Sequence, residues 1–399
     1  MRFLGSTLAA LALASPPSVA ARDVVYQPGG GAFAAAASGF VHRAGRHLTL
    51  NGKPFRFGGA NVEWLGLSDY GPASLTGPRY PTHKEVDTAL DTAKRLGARV
   101  VRAQTLADSV GCALCIEPTL GTFDATAFAH VDYAIAAARK RGLKLIATIV
   151  GDDAAAGGGG CVYLRWRGYD PPDCSLSRMD PFFTDPQVTR DVEEHVQAVL
   201  DHVNVYTHVA YKNDPTILGW DLMNGGGSPP QWTKTIADYV RGIDAHHLIL
   251  SDASNAGLRN VDACVSFIYP HWHQGMNFAA PRIAACARAH KPYLAYEYGW
   301  DRTNWPTLAS FRSFLASLQH DREVAGDAFW ALELRSRPIP ADITDPQLAA
   351  TGETGEWWAL YVPGRSTLVN TAADMNARAR LIRLHNAAMA SSGHARPRG

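Results

Sequence analysis

Residues 214–226 read Asp-Pro-Thr-Ile-Leu-Gly-Trp-Asp-Leu-Met-Asn-Gly-Gly. The Asp-Pro pair indicates a turn, the apolar run after it indicates a buried strand, and the two glycines indicate a loop directly beyond. The strand would carry Trp220, Asp221 and Asn224 toward its carboxyl end. A short buried strand that delivers polar side chains to one end is the unit whose repetition along the chain decides the fold.

Seven further apolar runs of this kind recur, separated by amphipathic stretches. This alternation favours an α/β fold with a parallel sheet. Eight strand–helix units in roughly 350 residues predict a single-domain (β/α)8, or TIM, barrel, whose functional residues lie at the carboxyl ends of the strands. An open doubly wound sheet is the alternative, but residues 58–61 lack the spacing of its glycine-rich phosphate turn. The predicted strands are Phe55–Asn61, Ala98–Arg102, Leu143–Val150, Ile217–Asn224, His247–Asp252, Cys264–Tyr269, Tyr293–Tyr298 and Ala328–Leu332.

Helices are predicted from capping signals and apolar periodicity. Thr82–Leu96 begins with a capping box formed by Thr82 and Glu85, and Asp132–Arg141 ends before Gly142. A third helix is predicted from residue 185 to about residue 206, and a last one from 372 to 390 that would close the ring.

Composition and the first residues limit the partners and the location. Lys and Arg total 38 and Asp and Glu total 37, so charge gives no argument for nucleic acid or an anionic membrane. Residues 1–20 combine Arg2, an apolar run and a small-residue exit, which predicts a signal peptide cleaved near Ala20. We therefore expect a secreted, extracellular or periplasmic, monomeric protein with a flexible leader over residues 21–38 and one domain over residues 39–395.

Six cysteines suit an oxidising compartment. Connectivity does not follow from sequence, and pairing between neighbours along the chain is our prediction. The Cys-x-x-Cys at residues 112–115 lacks the second ligand pair that a zinc site needs. We expect no metal and no cofactor. The predicted pairs are Cys112–Cys115, Cys161–Cys174 and Cys264–Cys286.

A second stretch, residues 291–299, reads Lys-Pro-Tyr-Leu-Ala-Tyr-Glu-Tyr-Gly. Together with residues 214–226 it resembles the two catalytic strand ends of glycoside hydrolase family 5, most closely of that family's endo-β-1,4-mannanases. In that family the fourth strand ends in Asn-Glu-Pro, whose Glu is the general acid/base, and the seventh ends in a Glu nucleophile. The resemblance, which spans roughly residues 40 to 335, implies that Glu297 is the nucleophile and that Gly225 occupies the acid/base position, where the carboxyl is lost.

The resemblance also implies substrate-binding roles. Arg102 and Tyr269 would hydrogen-bond the nucleophile, and Asn224 would contact the sugar 2-hydroxyl. Trp330 would be a sugar platform, because aromatic faces suit the apolar face of a pyranose. Trp64 and Trp300 are further candidates for substrate contact. Without the resemblance, each of these residues has a plainer reading as a salt-bridged, packing or core side chain.

Two departures from the family pattern affect positions that would transfer protons. Gly225-Gly226 replaces Glu-Pro, and Phe267 stands where the family has a His. Asp221 would lie about 13 Å deeper than residue 225 and could not reach the leaving oxygen. Other carboxyls near predicted strand ends could supply a relocated acid, and the His-Trp-His at residues 271–273 is predicted to form a wall of the substrate loop. These carboxyls are Glu63, Asp152, Asp252 and Glu333.

The sequence thus predicts a retaining glycoside hydrolase of the mannan endo-1,4-β-mannosidase type. It would act on β-mannan or a related plant polysaccharide, weakly if the acid/base Glu is missing. The alternative is a non-catalytic polysaccharide-binding pseudoenzyme with the same fold. A third possibility is a catalyst for substrates with good leaving groups, or a transglycosylase with a relocated acid.

Overall fold

The computed structural model describes residues 39–68, 77–151, 158–169, 179–224, 227–336, 358–367 and 369–392. The chain divides into two units, residues 1–37 and 38–399, and every described residue belongs to the second. The predicted signal peptide, the leader through residue 38 and the predicted domain end at residues 393–395 lie outside the described residues. None of the described helices is both long enough and apolar enough to cross a membrane.

Three short antiparallel strands open the described chain: β1 (Val41–Ala44), β2 (His47–Leu50) and β3 (Lys53–Phe55). The sequence does not predict β1 and β2, and the end of β3 was predicted as part of the first barrel strand. Most of their exposed residues are polar, so each strand offers too few apolar residues for a recognisable alternation. Their buried side chains pack with inward-facing residues of the barrel strands in one apolar cluster.

Eight parallel strands form a closed barrel, which confirms the predicted fold class. In chain order they are β4 (Phe57–Asn61), β5 (Val100–Ala103), β6 (Lys144–Thr148), β7 (Ile217–Asp221), β8 (Leu248–Asp252), β9 (Ala263–Ile268), β10 (Tyr293–Gly299) and β11 (Val324–Trp330). A pair of two-residue strands follows, β12 (Leu332–Glu333) with β13 (Leu360–Tyr361). The last barrel strand begins four residues earlier than predicted, because Gly326 and Asp327 interrupt its apolar run.

Helices connect the strands. They are α1 (His83–Arg95), α2 (Ala125–Arg141), α3 (Gly159–Trp166), α4 (Asp180–Thr184), α5 (Pro186–Asp201), α6 (Pro230–Ile243), α7 (Met276–Arg288), α8 (Leu308–His320) and α9 (Ala372–Ser392). The capping box of Thr82 and Glu85 is present, and Gly142 ends α2 in the left-handed conformation, so both predictions are confirmed. The start of α2 was predicted seven residues late, because the helix begins directly after its N-cap, Asp124, and this capping signal was not recognised.

The cysteines agree only in part with the prediction. Cys112 and Cys115 are joined, and Cys161 is disulfide-bonded, while its predicted partner Cys174 lies outside the described residues. The predicted pairing of Cys264 with Cys286 is wrong for this structure, in which both are buried free thiols. A hydrogen bond with Cys264, together with burial, raises the pKa of Cys286 and keeps its proton in place.

Candidate active site

The residues predicted for chemistry lie at the carboxyl ends of the barrel strands, which meet at one mouth of a parallel barrel. Arg102 is the third residue of β5, and Glu297 is the fifth residue of β10. Asn224 lies three residues beyond β7, and Tyr269 directly follows β9. Trp330 ends β11 in register with Gly299, two residues past Glu297.

Arg102 is the centre of this site. One of its terminal nitrogens, Nη1, donates to Glu297 Oε2 at 3.0 Å and to Asn61 Oδ1 at 3.1 Å. The other, Nη2, donates to Asp221 Oδ2 at 2.8 Å and to Asn224 Oδ1 at 2.5 Å. A single planar guanidinium therefore fixes four acceptors from three barrel strands and the loop after β7, a geometry that a lysine could not reproduce.

The charge on Arg102 is secured by its surroundings. Burial alone would lower its pKa, but Tyr296, Asp221 and Glu297 raise it above the ordinary value. The guanidinium carbon also lies 4.1 Å from the centroid of the Tyr296 ring, in a cation–π contact. The arginine is thus a permanent cation beneath the mouth.

Glu297 receives a second donor from the opposite side. The hydroxyl of Tyr269 donates to Glu297 Oε1 at 2.7 Å. Burial, the charge of Glu297 and this hydrogen bond raise the pKa of Tyr269 well above its ordinary value, so the phenol keeps the proton it donates. A carboxylate held by a cation and a neutral donor is favoured in its ionised form, the form that attacks an anomeric carbon. Glu297 remains 7% exposed, so it is still accessible from the mouth of the barrel.

Two supports of this site were not predicted as such. Asn61 ends β4 in register with Arg102, accepts its hydrogen bond, and donates to the carbonyls of Tyr296 and Phe329 at 3.0 and 3.2 Å. Asp221 was predicted to be too deep to act as the acid, but nothing in the sequence indicates that it shares the Arg102 guanidinium with Glu297. Burial raises the pKa of Asp221, while Arg102 and Thr148 oppose that effect. A polar residue at the end of a neighbouring barrel strand, such as Asn61, is the signal that could have identified these supports.

The predicted tryptophans separate into core and surface. Trp300 is fully buried and its indole N–H donates to the Trp358 carbonyl at 2.7 Å, and Trp64 is only 1% exposed. Their predicted role in substrate contact is therefore corrected: both rings belong to the core. Trp330 is half-buried, with its ring 6.0 Å from that of Trp358. Trp272, which follows Tyr269 in the predicted loop wall, is 43% exposed, and its ring lies 4.6 Å from the Tyr269 ring.

The proton-handling side is described only in part. Gly225, Gly226 and Asp152 lie outside the described residues. Among the other candidate acids, Asp252 accepts from the Ser254 backbone N–H and caps the turn after β8, and Glu333 in β12 is 2% exposed. Glu63 is half-buried beyond β4, where its carbonyl accepts from the Thr105 hydroxyl.

Phe267, which the resemblance predicts to lie at the position of the family's His, stacks on Tyr296 at 5.4 Å and lies in register with Glu297. It therefore places an apolar ring beside the strand that carries Glu297. No cluster of three or more His, Cys, Asp or Glu able to hold a metal ion is found in the part of the chain that the structure describes.

Comparison with known proteins assigns this arrangement to a family. The family described as GH family 5 beta-mannosidase-like matches residues 38–285. The chain belongs to this family. The matched range includes Arg102, Asn224 and Tyr269, while Glu297 and Trp330 lie beyond it on β10 and β11 of the same barrel.

Curated relatives of this family 5 chain match about half of it. Mannan endo-1,4-beta-mannosidase 3 of Arabidopsis thaliana is 33% identical over 227 residues, which are 55% of this chain and 52% of that protein. Mannan endo-1,4-beta-mannosidase 1 of Solanum lycopersicum is 33% identical over 53% of this chain and 52% of its own length. The chain spans about half the length of the curated relatives it matches.

Solved structures share the fold of this family 5 member. The endo-1,4-beta-mannanase of Rhizomucor miehei superposes with a TM-score of 0.66 at 23% identity and covers 88% of this chain and 99% of its own. A glycoside hydrolase family 5 mannosidase from the same organism gives a TM-score of 0.69 at 19% identity, with 89% and 98% covered. At these identities the likeness concerns the barrel fold.

Proposed function

We propose that this family 5 protein is a secreted, monomeric retaining glycoside hydrolase of the mannan endo-1,4-β-mannosidase type. Its substrate would be β-mannan or a related β-1,4-linked polysaccharide. The observation that carries the proposal is the Glu297 carboxylate, held at the barrel mouth between the Arg102 guanidinium and the Tyr269 hydroxyl. The names of the relatives, which are mannan endo-1,4-β-mannosidases, support the choice of substrate.

In the proposed reaction, Glu297 attacks the anomeric carbon and the leaving oxygen departs with the electron pair of the broken bond. Water then attacks the glycosyl-enzyme and gives up one proton, which passes through solvent to the departed oxygen, so that the sugar is released and the Glu297 carboxylate is restored. Asn224, fixed by Arg102, would contact the sugar 2-hydroxyl, and the half-buried Trp330 would stack on a sugar ring. The domain would extend over residues 39–395.

The weak point of the proposed enzyme is the missing acid. We infer from the sequence resemblance that Gly225 occupies the position of the family's general acid/base, a group that contributes roughly 10²- to 10⁴-fold to rate. We therefore propose that hydrolysis of the polymer, whose leaving group needs a proton, is slow. The same glycine favours the second candidate function, a polysaccharide-binding protein that has kept the cleft and lost catalysis.

The test uses a substrate that does not need the acid. An aryl β-mannoside with an acidic phenol should be turned over or should label Glu297, because its phenolate leaves unprotonated. Azide should accelerate turnover by attacking the glycosyl-enzyme in place of activated water, giving the mannosyl azide. Glu297→Ala is the matched control. It should abolish both reactions and leave the temperature of thermal unfolding nearly unchanged.

Restoring the carboxyl tests the assignment of the position. Gly225→Glu should raise the rate on polymeric mannan toward the roughly 10²- to 10⁴-fold that acid/base catalysis supplies. Brisk mannan hydrolysis by the unaltered protein, insensitive to azide, would show that a relocated carboxyl already acts. Mannan binding without labelling of Glu297 by the aryl mannoside would favour the binding protein.

A further inference from the structure

The loop that follows the nucleophile strand, residues 300–305, folds back onto the end of β10. Asn304 is 4% exposed and lies so close to Gly299 that a Cβ added there would be 3.1 Å from the Asn304 Cβ and closer still to its amide. The indole N–H of Trp305 donates to the Gly299 carbonyl at 2.8 Å. The side chain of Asn304 thus rests against the strand two residues beyond Glu297.

Asn304 is oriented by a buried carboxyl. Its Nδ2 donates to Asp301 Oδ2 at 2.9 Å, while Asp301 Oδ1 accepts from the backbone N–H groups of Thr303 and Asn304 at 2.8 and 3.2 Å. With its nitrogen committed to Asp301, the amide presents Oδ1 to the other side. There it accepts from the backbone N–H of His271 at 3.3 Å.

His271 belongs to the loop that carries Tyr269. This loop, residues 269–274, is closed by two backbone hydrogen bonds between Tyr269 and Gln274, of 2.8 and 2.9 Å, and by one from Trp272 to Tyr269 of 2.9 Å. These three bonds tie the loop to the backbone of Tyr269. An amide that fixes it at His271 therefore also fixes Tyr269, whose hydroxyl donates to Glu297.

We propose that Asn304 is a positioning residue for the nucleophile. It joins the loop after Glu297 to the loop that carries Tyr269, and so holds the Tyr269 hydroxyl against the Glu297 carboxylate. The inference rests on the proposed function, because it gives Asn304 a part in hydrolysis without contact with the substrate.

The decisive experiment is a double-mutant cycle of Asn304→Ala and Tyr269→Phe, measured with the activated aryl β-mannoside. Asn304→Ala should lower kcat about 10-fold and leave KM nearly unchanged, because it misplaces a group that acts on the reacting carboxylate. In the Tyr269→Phe background the same substitution should change kcat less than about 2-fold, because residues that act through one contact are not additive. The acidic limb of the pH–rate profile should move to higher pH in Asn304→Ala, since a carboxylate that loses a donor is protonated more easily.

Asn370→Ala is the matched control. Asn370 holds the same loop from the side of α9, where its Oδ1 accepts from the backbone N–H of Arg302 at 3.2 Å. This substitution should leave kcat and the acidic limb unchanged. Equal effects of the two alanine variants, or a loss in Asn304→Ala that multiplies fully with Tyr269→Phe, would overturn the proposal.

Amide hydrogen exchange tests the same link without any turnover. Asn304→Ala should accelerate exchange in the segment 269–274, and Asn370→Ala should not. If the unaltered protein neither turns over nor is labelled at Glu297, the proposed function fails, and exchange alone decides the positioning role. Unchanged exchange in Asn304→Ala would then end it.

Discussion

At the scale of single residues, Arg102 is a buried cation whose removal from water is unfavourable but whose charge the neighbouring carboxyls require. Removing a guanidinium and two carboxyls from water costs several kcal/mol per ion, and mutual attraction offsets this only with good geometry. Arg102 meets that condition, because its terminal nitrogens bond Asp221, Glu297 and two amide oxygens. Its contribution lies in compensating buried carboxyls that the site needs for other reasons.

Arg102→Met should therefore lower the free energy of unfolding by about 3–5 kcal/mol, because it leaves Asp221 and Glu297 as uncompensated buried charges. The pKa of Asp221 is already raised by burial above its ordinary value of 3.8, so its neutral form favours the folded state. The deficit of the variant should grow as the pH rises from about 4 and shrink as both carboxyls take up protons. Urea unfolding at several pH values measures this.

Arg141→Met is the control for that prediction. Arg141 also joins two carboxyls, those of Asp87 and Asp91, but their side chains are 40% and 50% exposed. Pairs whose carboxyls are this exposed contribute about 0–1 kcal/mol, so this variant should lose no more than about 1 kcal/mol of stability. Similar losses in the two variants would show that Arg102 acts as a packing residue.

The sequence identified the bonded residues of the site but not the direction of every ring. Arg102, Asn224, Tyr269 and Glu297 were found through their resemblance to family strand ends, and the structure brings them within hydrogen-bonding distance of one another. Trp300 could not be placed in this way. A residue just beyond a strand can turn toward the mouth or the core, and that choice depends on partners distant in sequence, here the Trp358 carbonyl.

At the scale of elements, the sequence predicted those whose signals are local. Capping and glycine signals placed one end of α1 and of α2, because they act within a turn of the helix. The strands β1 and β2 were missed, since short strands with exposed polar residues acquire their buried side only by packing on the barrel. The predicted ends of α5 and β6 lay too far along the chain for a different reason, because apolar residues continue into the loops that follow.

The junction between α6 and β8 illustrates a polar support between elements. Asp244 Oδ2 accepts from the Trp220 indole N–H at 2.7 Å and from His247 Nδ1 at 2.6 Å, and so links α6, β7 and β8. Burial alone would raise the pKa of Asp244, but the bonds to His247 and Trp220 outweigh it and lower the pKa to about 2. The stabilisation is therefore present above pH 3.8 and is lost as the pH falls through about 2.

Asp244→Asn should lower the free energy of unfolding at pH 7 by about 1.5–3 kcal/mol, the usual worth of hydrogen bonds to a charged group. Its difference from the unaltered protein should shrink as the pH is lowered from about 4 toward 2. Denaturant titrations across this range supply the measurement. Asp238→Asn, an exposed aspartate on the same helix, should change stability by less than about 0.5 kcal/mol, and a pH-independent loss in Asp244→Asn would contradict the charge argument.

At the scale of the whole molecule, the last helix packs against the first barrel strand and completes the layer of helices around the barrel. The backbone of α9 approaches β4 at Gly58, where an added Cβ would lie 2.9 Å from the Cα of Asn386. The Asn386 amide donates to the Leu96 carbonyl at 2.9 Å, and His385 Nε2 lies 2.9 Å from Asp327 Oδ2 of β11. The sequence predicted that this helix would close the ring, but only the fold shows that the contact needs a glycine.

Gly58→Ala should destabilise the protein by about 1–3 kcal/mol, because it forces α9 away from the barrel. Thermal unfolding and exchange of the amides of α9 report both effects. Gly242→Ala, in a helix where an added Cβ meets nothing within 4 Å, should instead raise stability by about 0.5 kcal/mol. A harmless Gly58→Ala would mean that α9 can shift outward freely.

The loop beyond Glu297 is held by a residue that the ribosome adds late in synthesis. Arg378 of α9 is fully buried and donates to the carbonyls of Trp300 and Trp305 at 3.0 and 2.8 Å. The ribosome adds Arg378 78 residues after Trp300, when all eight barrel strands have been synthesised. The strands can pair before this anchor exists, so the surroundings of Glu297 are among the last parts of the molecule to be fixed during biosynthesis.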